Sequence, residues 1–283
     1  MNPGLELRGR LGFMGGGHMA RALAGGLIAR GIAPGRITIA DPLEAARNWN
    51  REHLPGVVVT GCNEEAGRSA ETWIIAVKPQ QVRTIAMELN AVATARQPLV
   101  ISVAAGIRMA DLARWLGDGA RIGRCIPNRP ARGGAGMTVL CAGPGTTRAD
   151  QLEAEALLGA VGECAWVQDE SLLDGVTAVS GSGPAYVFLL MEMMEAAALA
   201  EGIPAELAHQ LVGATVHGAA ELARQDPRHP SELRHEVTSP GGTTAAALAE
   251  LEKAGLRTAF LRAIRAASDR SRALSSPGDG PEG

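Results

Sequence analysis

The composition of this 283-residue chain predicts a globular protein of about two domains, because 46% of the residues are hydrophobic and 36 are glycines. Lys and Arg total 27 and Asp and Glu total 30, so the sequence lacks the basic field that nucleic acid attracts. Four Trp, three Phe and one Tyr leave few rings for base stacking. The counts argue against a nucleic-acid partner and favour a small-molecule ligand.

The first part of the chain alternates short apolar runs with helical segments. Runs rich in β-branched residues and bounded by Gly, Pro or Asp predict strands at 11–14, 37–40, 57–60, 73–77 and 99–103. Helices are predicted between them at about 18–31, 43–53, 64–69 and 80–93. Further strands are predicted at about 121–125, 137–141 and 164–167, with a hairpin-like return at the glycines of 133–136. This βαβ pattern predicts a parallel, doubly wound sheet.

A glycine-rich segment follows the first predicted strand and opens the first predicted helix. LGFMGGGHMA at 11–20 places Gly15, Gly17 and Ala20 in the GxGxxA form of a dinucleotide fingerprint. Gly15 would make the tight turn, and Gly17 would let a pyrophosphate reach the helix N-terminus. The segment therefore predicts a Rossmann-type dinucleotide-binding domain.

Asp41 closes the second predicted strand, where an acidic side chain would bind the ribose 2'-hydroxyl of NAD. An equally ordinary interpretation is a turn or helix-capping Asp before Pro42. Arg47 lies nearby and would instead meet a 2'-phosphate. The preference between NADH and NADPH stays open.

Two later strand ends carry residues that are unusual for a plain core. Lys78 and Pro79 follow the fourth predicted strand, and small residues at 104–106 follow the fifth. Ligands of open α/β sheets bind at these carboxyl ends. The alternatives are a solvated lysine and tight packing of small residues.

From about residue 172 onward only helices are predicted. They lie at about 184–201, 204–225, 231–236 and 243–254, with a last helix ending at about 273. The first of them is apolar nearly all the way round, so it must be covered on several sides. The predicted fold class is α/β, with a Rossmann-type dinucleotide-binding domain at 1–170 followed by an all-helical substrate-binding and dimerisation domain at 171–274. The polar segment at 275–283 predicts a disordered tail.

The segment VTSPGGTT at 237–244 runs directly into a predicted alanine-rich helix. The first N–H groups of a helix have no intrahelical partner, and the helix dipole favours negative charge there. Hydroxyls and glycines at such a position suit a small carboxylate. The alternative is an ordinary helix cap.

The remaining composition argues for a cytoplasmic protein without a membrane span. The cysteines show no CxxC spacing, so we expect them to be reduced and buried; they are Cys62, Cys125, Cys141 and Cys164. The N-terminus has no apolar signal core, and Glu192 and Glu195 interrupt the longest apolar run. No metal site is expected, because His18, His209, His217 and His235 show no ligand spacing.

Taken together, the motifs resemble those of the pyrroline-5-carboxylate reductase family from about residue 11 to residue 274. They are the GxGxxA turn, AVKP at 76–79, IPNRP at 126–130, SGSGPAY at 180–186 and VTSPGGTT at 237–244. The resemblance implies NAD(P)H-dependent reduction of 1-pyrroline-5-carboxylate to L-proline, the last step of proline biosynthesis. It also implies homodimers joined through interlocked helical domains, or larger assemblies of dimers.

The resemblance assigns site residues in each domain. The implied cofactor-binding residues are Gly12, Phe13, Met14, Gly15, Gly16, Gly17, His18 and Met19 at the pyrophosphate, Asn63, Ala76, Val77, Lys78 and Pro79 at the ribose and nicotinamide side, and Ala104 and Ala105 at the nicotinamide. Asp41, predicted above from its position after the second strand, completes the cofactor-binding set. The implied substrate-binding residues are Glu170, Ser239, Gly242, Thr243 and Thr244, with Thr244 facing the ring nitrogen as the catalytic candidate. Two positions depart from the family pattern: Arg129 replaces a usual Thr, and Glu236 replaces a frequent Asn.

Two other functions remain open at this point. A β-hydroxyacid dehydrogenase or imine reductase would share the two-domain design, but a hydroxyacid oxidation needs a Lys or His base near the nicotinamide, and the only lysine of the helical segment is Lys253, near a helix end. A non-catalytic NAD(P)-binding regulator would bind the cofactor without oxidising it.

Overall fold

The computed structural model describes Leu7 and residues 9–275 of the chain. The predicted disordered tail at 275–283 lies outside the described residues except for Ser275, whose hydroxyl donates to the Ser271 carbonyl at 3.0 Å.

A single sheet of eight strands occupies the first part of the described chain. The strands are β1 (Leu11–Met14), β2 (Ile37–Ala40), β3 (Val58–Thr60), β4 (Thr72–Ile75), β5 (Leu99–Ser102), β6 (Arg121–Pro127), β7 (Gly136–Ala142) and β8 (Gly162–Val167). Their order is β3-β2-β1-β4-β5-β6-β7-β8, and every neighbouring pair is parallel except β6 and β7. The predicted doubly wound sheet and its antiparallel return are confirmed.

Thirteen α-helices are described. They are α1 (His18–Ala29), α2 (Glu44–His53), α3 (Asn63–Arg68), α4 (Pro79–Glu88), α5 (Asn90–Arg96), α6 (Met109–Leu116), α7 (Arg148–Leu158), α8 (Leu172–Val176), α9 (Gly183–Ala200), α10 (Ala205–Gln225), α11 (Pro230–Glu236), α12 (Thr243–Lys253) and α13 (Leu256–Leu274). Short 3-10 turns lie at Pro34–Arg36, Arg129–Gly133 and Gly159–Val161, and a π-helical turn lies at Thr177–Gly181.

The sequence prediction was wrong about four helical segments, one of which is the short helix α8, which was missed. The single helix expected at 80–93 is two helices, α4 and α5, because Leu89 between them is fully buried and the chain turns there. Helix α6 was missed although it buries Met109, Leu112 and Leu116 at helical spacing. Helix α7 was missed too, and its capping box of Thr147 and Asp150 is a readable start signal.

Both faces of the sheet are covered, which explains why its strands are continuous apolar runs. Successive side chains of a strand point to opposite faces. Leu11 and Phe13 of β1 therefore join one core cluster, while Met14 joins a second cluster with Trp73 and Ile75 of β4.

The chain forms two compact units, which we name the sheet unit and the helical unit. The helical unit is Gly183–Ala266, and the sheet unit contains the residues up to Ser182 together with those from Ala267 onward. The helical unit begins later than the predicted domain boundary at 170/171, because Leu173 of α8 is buried in a core cluster of the sheet unit.

The helical unit leaves much apolar surface uncovered within one chain. Helix α9 has no buried residue, and Phe188, Leu189 and Met193 are each more than half exposed. One helical run of the described residues, Leu172–Ala200, contains an 18-residue window that is apolar enough to cross a membrane by length and composition alone, and no residue of that window is buried in the chain.

Candidate active site

The turn between β1 and α1 is built so that only glycine suits its first position. Gly15 has φ +102°, and a Cβ there would lie 2.8 Å from the Ala76 carbonyl oxygen. Gly17 is the N-cap of α1, no side chain caps this helix, and a Cβ on Gly17 would meet nothing within 4 Å. The open helix start accommodates an anionic group such as a pyrophosphate.

The Asp41 carboxylate braces this turn from the end of β2. Its Oδ2 accepts from the Gly16 N–H at 2.8 Å, and its Oδ1 accepts from the Leu43 N–H at 2.9 Å. The turn-capping interpretation of Asp41 is therefore present in the structure. Arg47 Nη1 donates to the carbonyls of Asp41 and Pro42, at 2.9 and 2.6 Å.

A cleft of about 350 Å³ brings together four predicted cofactor residues from four separate segments: Gly15, Asp41, Asn63 and Val77. The rest of its lining comprises Pro42, Leu43, Gln80, Gln81, Thr84 and Ile85. Sequence reasoning missed the α4 residues of this lining. The helix start at Pro79, directly after a strand end, is the signal that points to them.

The other predicted cofactor-binding residues differ in how far their side chains are exposed to solvent. Phe13 and Met14 are fully buried in the core, so only their backbone can face a ligand. A Cβ on Gly12 would lie 2.8 Å from the Ala66 carbonyl, so this glycine lets α3 pack on β1. Gly16 is buried, and Met19 packs partly against the core.

His18 is exposed and lines a second pocket, of about 260 Å³, with Arg21, Ala22, Trp49 and Arg132. The Arg21 guanidinium lies over the Trp49 ring, 4.0 Å from its centroid, and Arg21 Nε donates to the Gly16 carbonyl at 2.9 Å. This pocket lies beside the first turn of α1 and was not predicted.

Lys78 and Pro79 are the N-cap and first residue of α4, and both are exposed. Ala76 donates its N–H to the Met14 carbonyl at 2.8 Å, which ties the end of β4 to the end of β1. In the loop after β5, Ala104 is buried and Ala105 is exposed.

Glu170 is held by a buried arginine that sequence reasoning missed. Its Oε1 accepts from Arg124 Nη1 and from the Met109 N–H, both at 2.9 Å, and the Arg124 side chain is fully buried. Arg124 Nε and Nη2 are buried without a hydrogen-bond partner. Glu170 therefore neutralises a buried guanidinium at the start of α6, and its role toward a substrate stays a prediction.

A second carboxylate extends this polar network. Asp174 is buried, accepts from the Ser271 hydroxyl at 2.7 Å and pairs with Arg108 at 3.6 Å. These contacts tie α8 and the end of α13 to the residue that precedes α6.

The cysteines are free thiols, but the expectation that all are buried was wrong. Cys62 is exposed and Cys164 is half-buried. Burial raises the pKa of Cys164 to about 11 and also raises the pKa of Cys125 and of Cys141. These three side chains are therefore neutral thiols near pH 7.

In the helical unit, VTSPGGTT forms an uncapped helix start. Gly241 has φ +71°, Gly242 is the N-cap of α12, and no side chain caps this helix. The Thr238 hydroxyl donates to the Arg234 carbonyl at 2.6 Å, whereas Ser239, Thr243 and Thr244 are exposed. The N-terminal N–H groups of α12 are thus open to an anion.

The Glu236 departure has a local explanation. Arg228 Nη2 donates to Glu236 at 2.8 Å and to Asp226 at 2.7 Å, so Glu236 joins the end of α11 to the connection that precedes it. Arg129, the other departure, lies exposed at the start of its 3-10 turn.

Comparison with known proteins agrees with this architecture. A family model described as pyrroline-5-carboxylate reductase dimerisation matches residues 170–274, and one described as NADP oxidoreductase coenzyme F420-dependent matches residues 10–106. The pyrroline-5-carboxylate reductase of Synechocystis sp. is 42% identical over 94% of this chain and 98% of its own length. The one of Arabidopsis thaliana is 40% identical over 94% of this chain and 95% of its own length.

Solved structures show the same likeness. A pyrroline-5-carboxylate reductase from Coxiella burnetii superposes with a TM-score of 0.90 and 38% identity, over 95% of this chain and 99% of that one. The pyrroline carboxylate reductase of Plasmodium falciparum, solved with NADP bound, superposes with a TM-score of 0.83 and 28% identity, over 94% of this chain and 98% of that one. The chain therefore belongs to the pyrroline-5-carboxylate reductase family of NAD(P)-dependent oxidoreductases.

Proposed function

We propose that this chain reduces 1-pyrroline-5-carboxylate to L-proline with NAD(P)H, as the final step of proline biosynthesis. The observation that carries the proposal is that one chain of this family holds an open dinucleotide turn at Gly17 and an open, hydroxyl-rich helix start at Gly242. The first suits a pyrophosphate, and the second suits a small carboxylate.

The substrate carboxylate binds at the start of α12. The N–H groups of Thr243 and Thr244 have no partner within the helix, and the exposed Ser239 precedes them by four and five residues, across the Gly241 turn. The helix dipole adds a favourable interaction of about 0.3 to 1 kcal/mol for an exposed anion.

The dinucleotide binds along the carboxyl edge of the sheet. Gly15, Gly16 and Gly17 form the turn at the pyrophosphate, flanked by His18 and Met19, and Asp41, Asn63 and Val77 line the adjoining cleft. Ala76, Lys78 and Pro79 at the end of β4, together with Ala104 and Ala105 after β5, lie at the neighbouring strand ends, toward the nicotinamide.

The proposed reaction requires the protein mainly to position the dinucleotide and the substrate. The reduced nicotinamide, when bound, supplies the hydride for the imine carbon. The ring nitrogen of an imine is basic enough to be protonated near neutral pH, so the residues have to orient the ring and hold its charge. Thr244 orients the ring nitrogen through its hydroxyl, which as a neutral group is a poor general acid.

The homodimer forms through the helical unit, whose apolar surface a second copy covers. The matched dimerisation model includes α9, and the run of this helix is interrupted by Glu192 and by Glu195, which pairs with His209 at 2.8 Å. These charges favour a protein partner over a lipid one. The family resemblance implies dimers or larger assemblies of dimers, and light scattering with a sedimentation run distinguishes the two.

The proposed location is the cytoplasm, because the cysteines are free and none of the described ones is paired. Fractionation of cells that express the tagged chain tests this placement. Recovery with the membrane pellet would contradict it.

An assay of the purified chain tests the proposed reaction. The chain is mixed with 1-pyrroline-5-carboxylate and with either NADH or NADPH. We expect oxidation of the nicotinamide, followed by its absorbance, with one proline formed for each dinucleotide oxidised. Cofactor binding without oxidation would instead indicate a regulator. Activity on a hydroxyacid with no activity on the imine would indicate a dehydrogenase.

A further inference from the structure

The charge of the dinucleotide cleft bears on which dinucleotide it takes. Among the ten residues that line the cleft, all of them described, the single ionisable one is Asp41. The polar remainder consists of Asn63, Gln80, Gln81 and Thr84, which are neutral. The lining therefore carries one negative charge and no cation.

The Asp41 carboxylate cannot swing away from this position without losing two hydrogen bonds. The Gly16 N–H holds one oxygen at 2.8 Å, and the Leu43 N–H holds the other at 2.9 Å. Each carboxylate oxygen has a further lone pair, so the group can still accept from a hydroxyl. It suits a ribose diol, which donates.

A 2'-phosphate differs from a 2'-hydroxyl in both charge and hydrogen bonding. It is a strongly negative group that only accepts, so next to a fixed carboxylate it meets repulsion and no donor. Two cationic side chains lie near the turn, but neither is among the residues that line the cleft. Arg47 Nη1 bonds the carbonyls of Asp41 and Pro42, and Arg21 is held over Trp49 in the separate pocket beside α1.

We propose that Asp41 makes this chain bind NADH in preference to NADPH. The proposal rests on the dinucleotide site of the proposed function and names which dinucleotide that site takes. The Plasmodium falciparum relative was solved with NADP bound, so the preference belongs to the Asp41 cleft of this chain and is not expected of every relative.

Binding without substrate tests the proposal independently of the reaction. NADH and NADPH are each titrated into the wild-type protein, and the dissociation constants are read from the dinucleotide fluorescence. We expect NADH to bind at least about tenfold more tightly. Equal affinities or tighter NADPH binding would overturn the proposal. Absence of binding by both dinucleotides would overturn it together with the dinucleotide site itself, whereas NADH-selective binding without imine reduction would sink the proposed reaction alone.

Two variants locate the preference at this cleft. Asp41→Asn removes the charge at nearly constant shape, and we expect the ratio of NADPH to NADH affinity to rise about tenfold. Leu43→Arg adds a cation at a lining residue that is 68% exposed, leaves both Asp41 hydrogen bonds possible, and should raise NADPH affinity more than NADH affinity.

Glu52→Gln is the matched control, because it removes one negative charge from α2, the helix that follows Asp41, at a side chain that is 78% exposed and outside the cleft lining. It should leave the affinity ratio unchanged, and circular dichroism checks that every variant folds. If Asp41→Asn weakens both dinucleotides equally, Asp41 is only a brace of the turn and the proposal fails. If Asp41→Asn does not fold, the wild-type titration and Leu43→Arg still decide it, because an unchanged ratio in Leu43→Arg also counts against the cleft.

Discussion

The sheet unit and the helical unit differ in where their apolar side chains go. Strands β1, β2, β4 and β5 are buried at every residue. In the helical unit α9 and α12 bury no residue, and α10 buries only Ala208 and Val212. The sheet unit completes its core within one chain, whereas the helical unit is a half that a second copy completes.

The two proposed binding segments, the dinucleotide turn and the start of α12, also differ in how far their own unit holds them in place. The dinucleotide turn is fixed by contacts of its own unit, such as the hydrogen bonds from Gly16 to Asp41 and from Gly15 to Ala40, both at 2.8 Å. The α12 start is exposed within its unit. Variants of the sheet unit should therefore act within one protomer, while those of α9 act through assembly.

The largest effect should come from a charge placed on α9. Phe188→Asp puts a carboxylate on a side chain that is 58% exposed in one chain and that the proposed dimer would cover, so association should weaken about a thousandfold. Light scattering at micromolar concentration measures the change. Leu152→Asp on α7, at 52% exposure in the sheet unit, is the control and should remain a dimer. If the Phe188→Asp variant remained a dimer, the proposal that a second copy covers the helical unit at α9 would be wrong.

The next effect concerns the buried ion pair of the sheet unit. Glu170→Ala leaves the buried Arg124 guanidinium without its partner, which should lower the free energy of unfolding by about 3 to 5 kcal/mol. All four tryptophans lie in the sheet unit, so their fluorescence during urea unfolding reports on it. Glu163→Ala at an exposed position of β8 is the control.

Replacing both partners distinguishes charge from packing. The double variant Glu170→Ala, Arg124→Leu removes the buried charge and should recover most of the lost stability. A double variant as unstable as Glu170→Ala alone would contradict the ion-pair explanation.

Thr244→Ala should affect catalysis and not folding, because this side chain is exposed in the helical unit. Loss of one hydrogen bond to a charged ring nitrogen costs about 1.5 to 3 kcal/mol, or about ten- to a hundredfold in kcat/KM. Thr244→Ser keeps the hydroxyl and should keep most of the activity. Unchanged kcat/KM in Thr244→Ala would remove the residue from the mechanism.

The smallest effect is expected from Gly17→Ala at the start of α1, a variant that should change dinucleotide binding but not the stability of the sheet unit. A Cβ on Gly17 enters open space at the helix start, so Gly17→Ala should weaken dinucleotide binding about tenfold. The same change should leave the free energy of unfolding within about 0.5 kcal/mol. Fluorescence titration and urea unfolding measure the two quantities.

Gly25→Ala is the control within the same helix. Its Cβ would lie 3.9 Å from Leu54, an ordinary contact, so it should stabilise α1 by up to about 1 kcal/mol and leave binding unchanged. Equal binding losses in the two variants would show that α1 stability, and not open space at Gly17, controls the dinucleotide.

Local patterns predicted most of the elements because the elements obey local rules. The apolar runs matched β1 and β2 at both ends, and Gly202 and Gly255, with φ +82° and +76°, follow the ends of α9 and α12, where glycine is a common helix stop. The predictions failed at α4 and α5, which were expected as one helix, and at α6 and α7, whose apolar spacing and capping box were not recognised.

For the candidate site, sequence patterns predicted segments but not their partners. The turn at Gly15 and Gly17 and the helix start at Gly242 are readable because backbone conformation and missing N–H partners depend on a few neighbouring residues. Arg124 was not readable, since an arginine in a strand shows no sign of burial until Glu170, distant in sequence, lies 2.9 Å from it.

The sequence by itself therefore determined the alternation of strands and helices, the glycine turn, and the family to which the chain belongs. Only the tertiary structure decided that Asp41 accepts from the Gly16 N–H and that Arg47 donates to backbone carbonyls. It also decided that the residues lining the dinucleotide cleft carry one negative charge, that of Asp41. The physical reason is range. Backbone preferences act over a few residues, whereas hydrogen bonds and charge balance in a cleft depend on segments that only folding brings together.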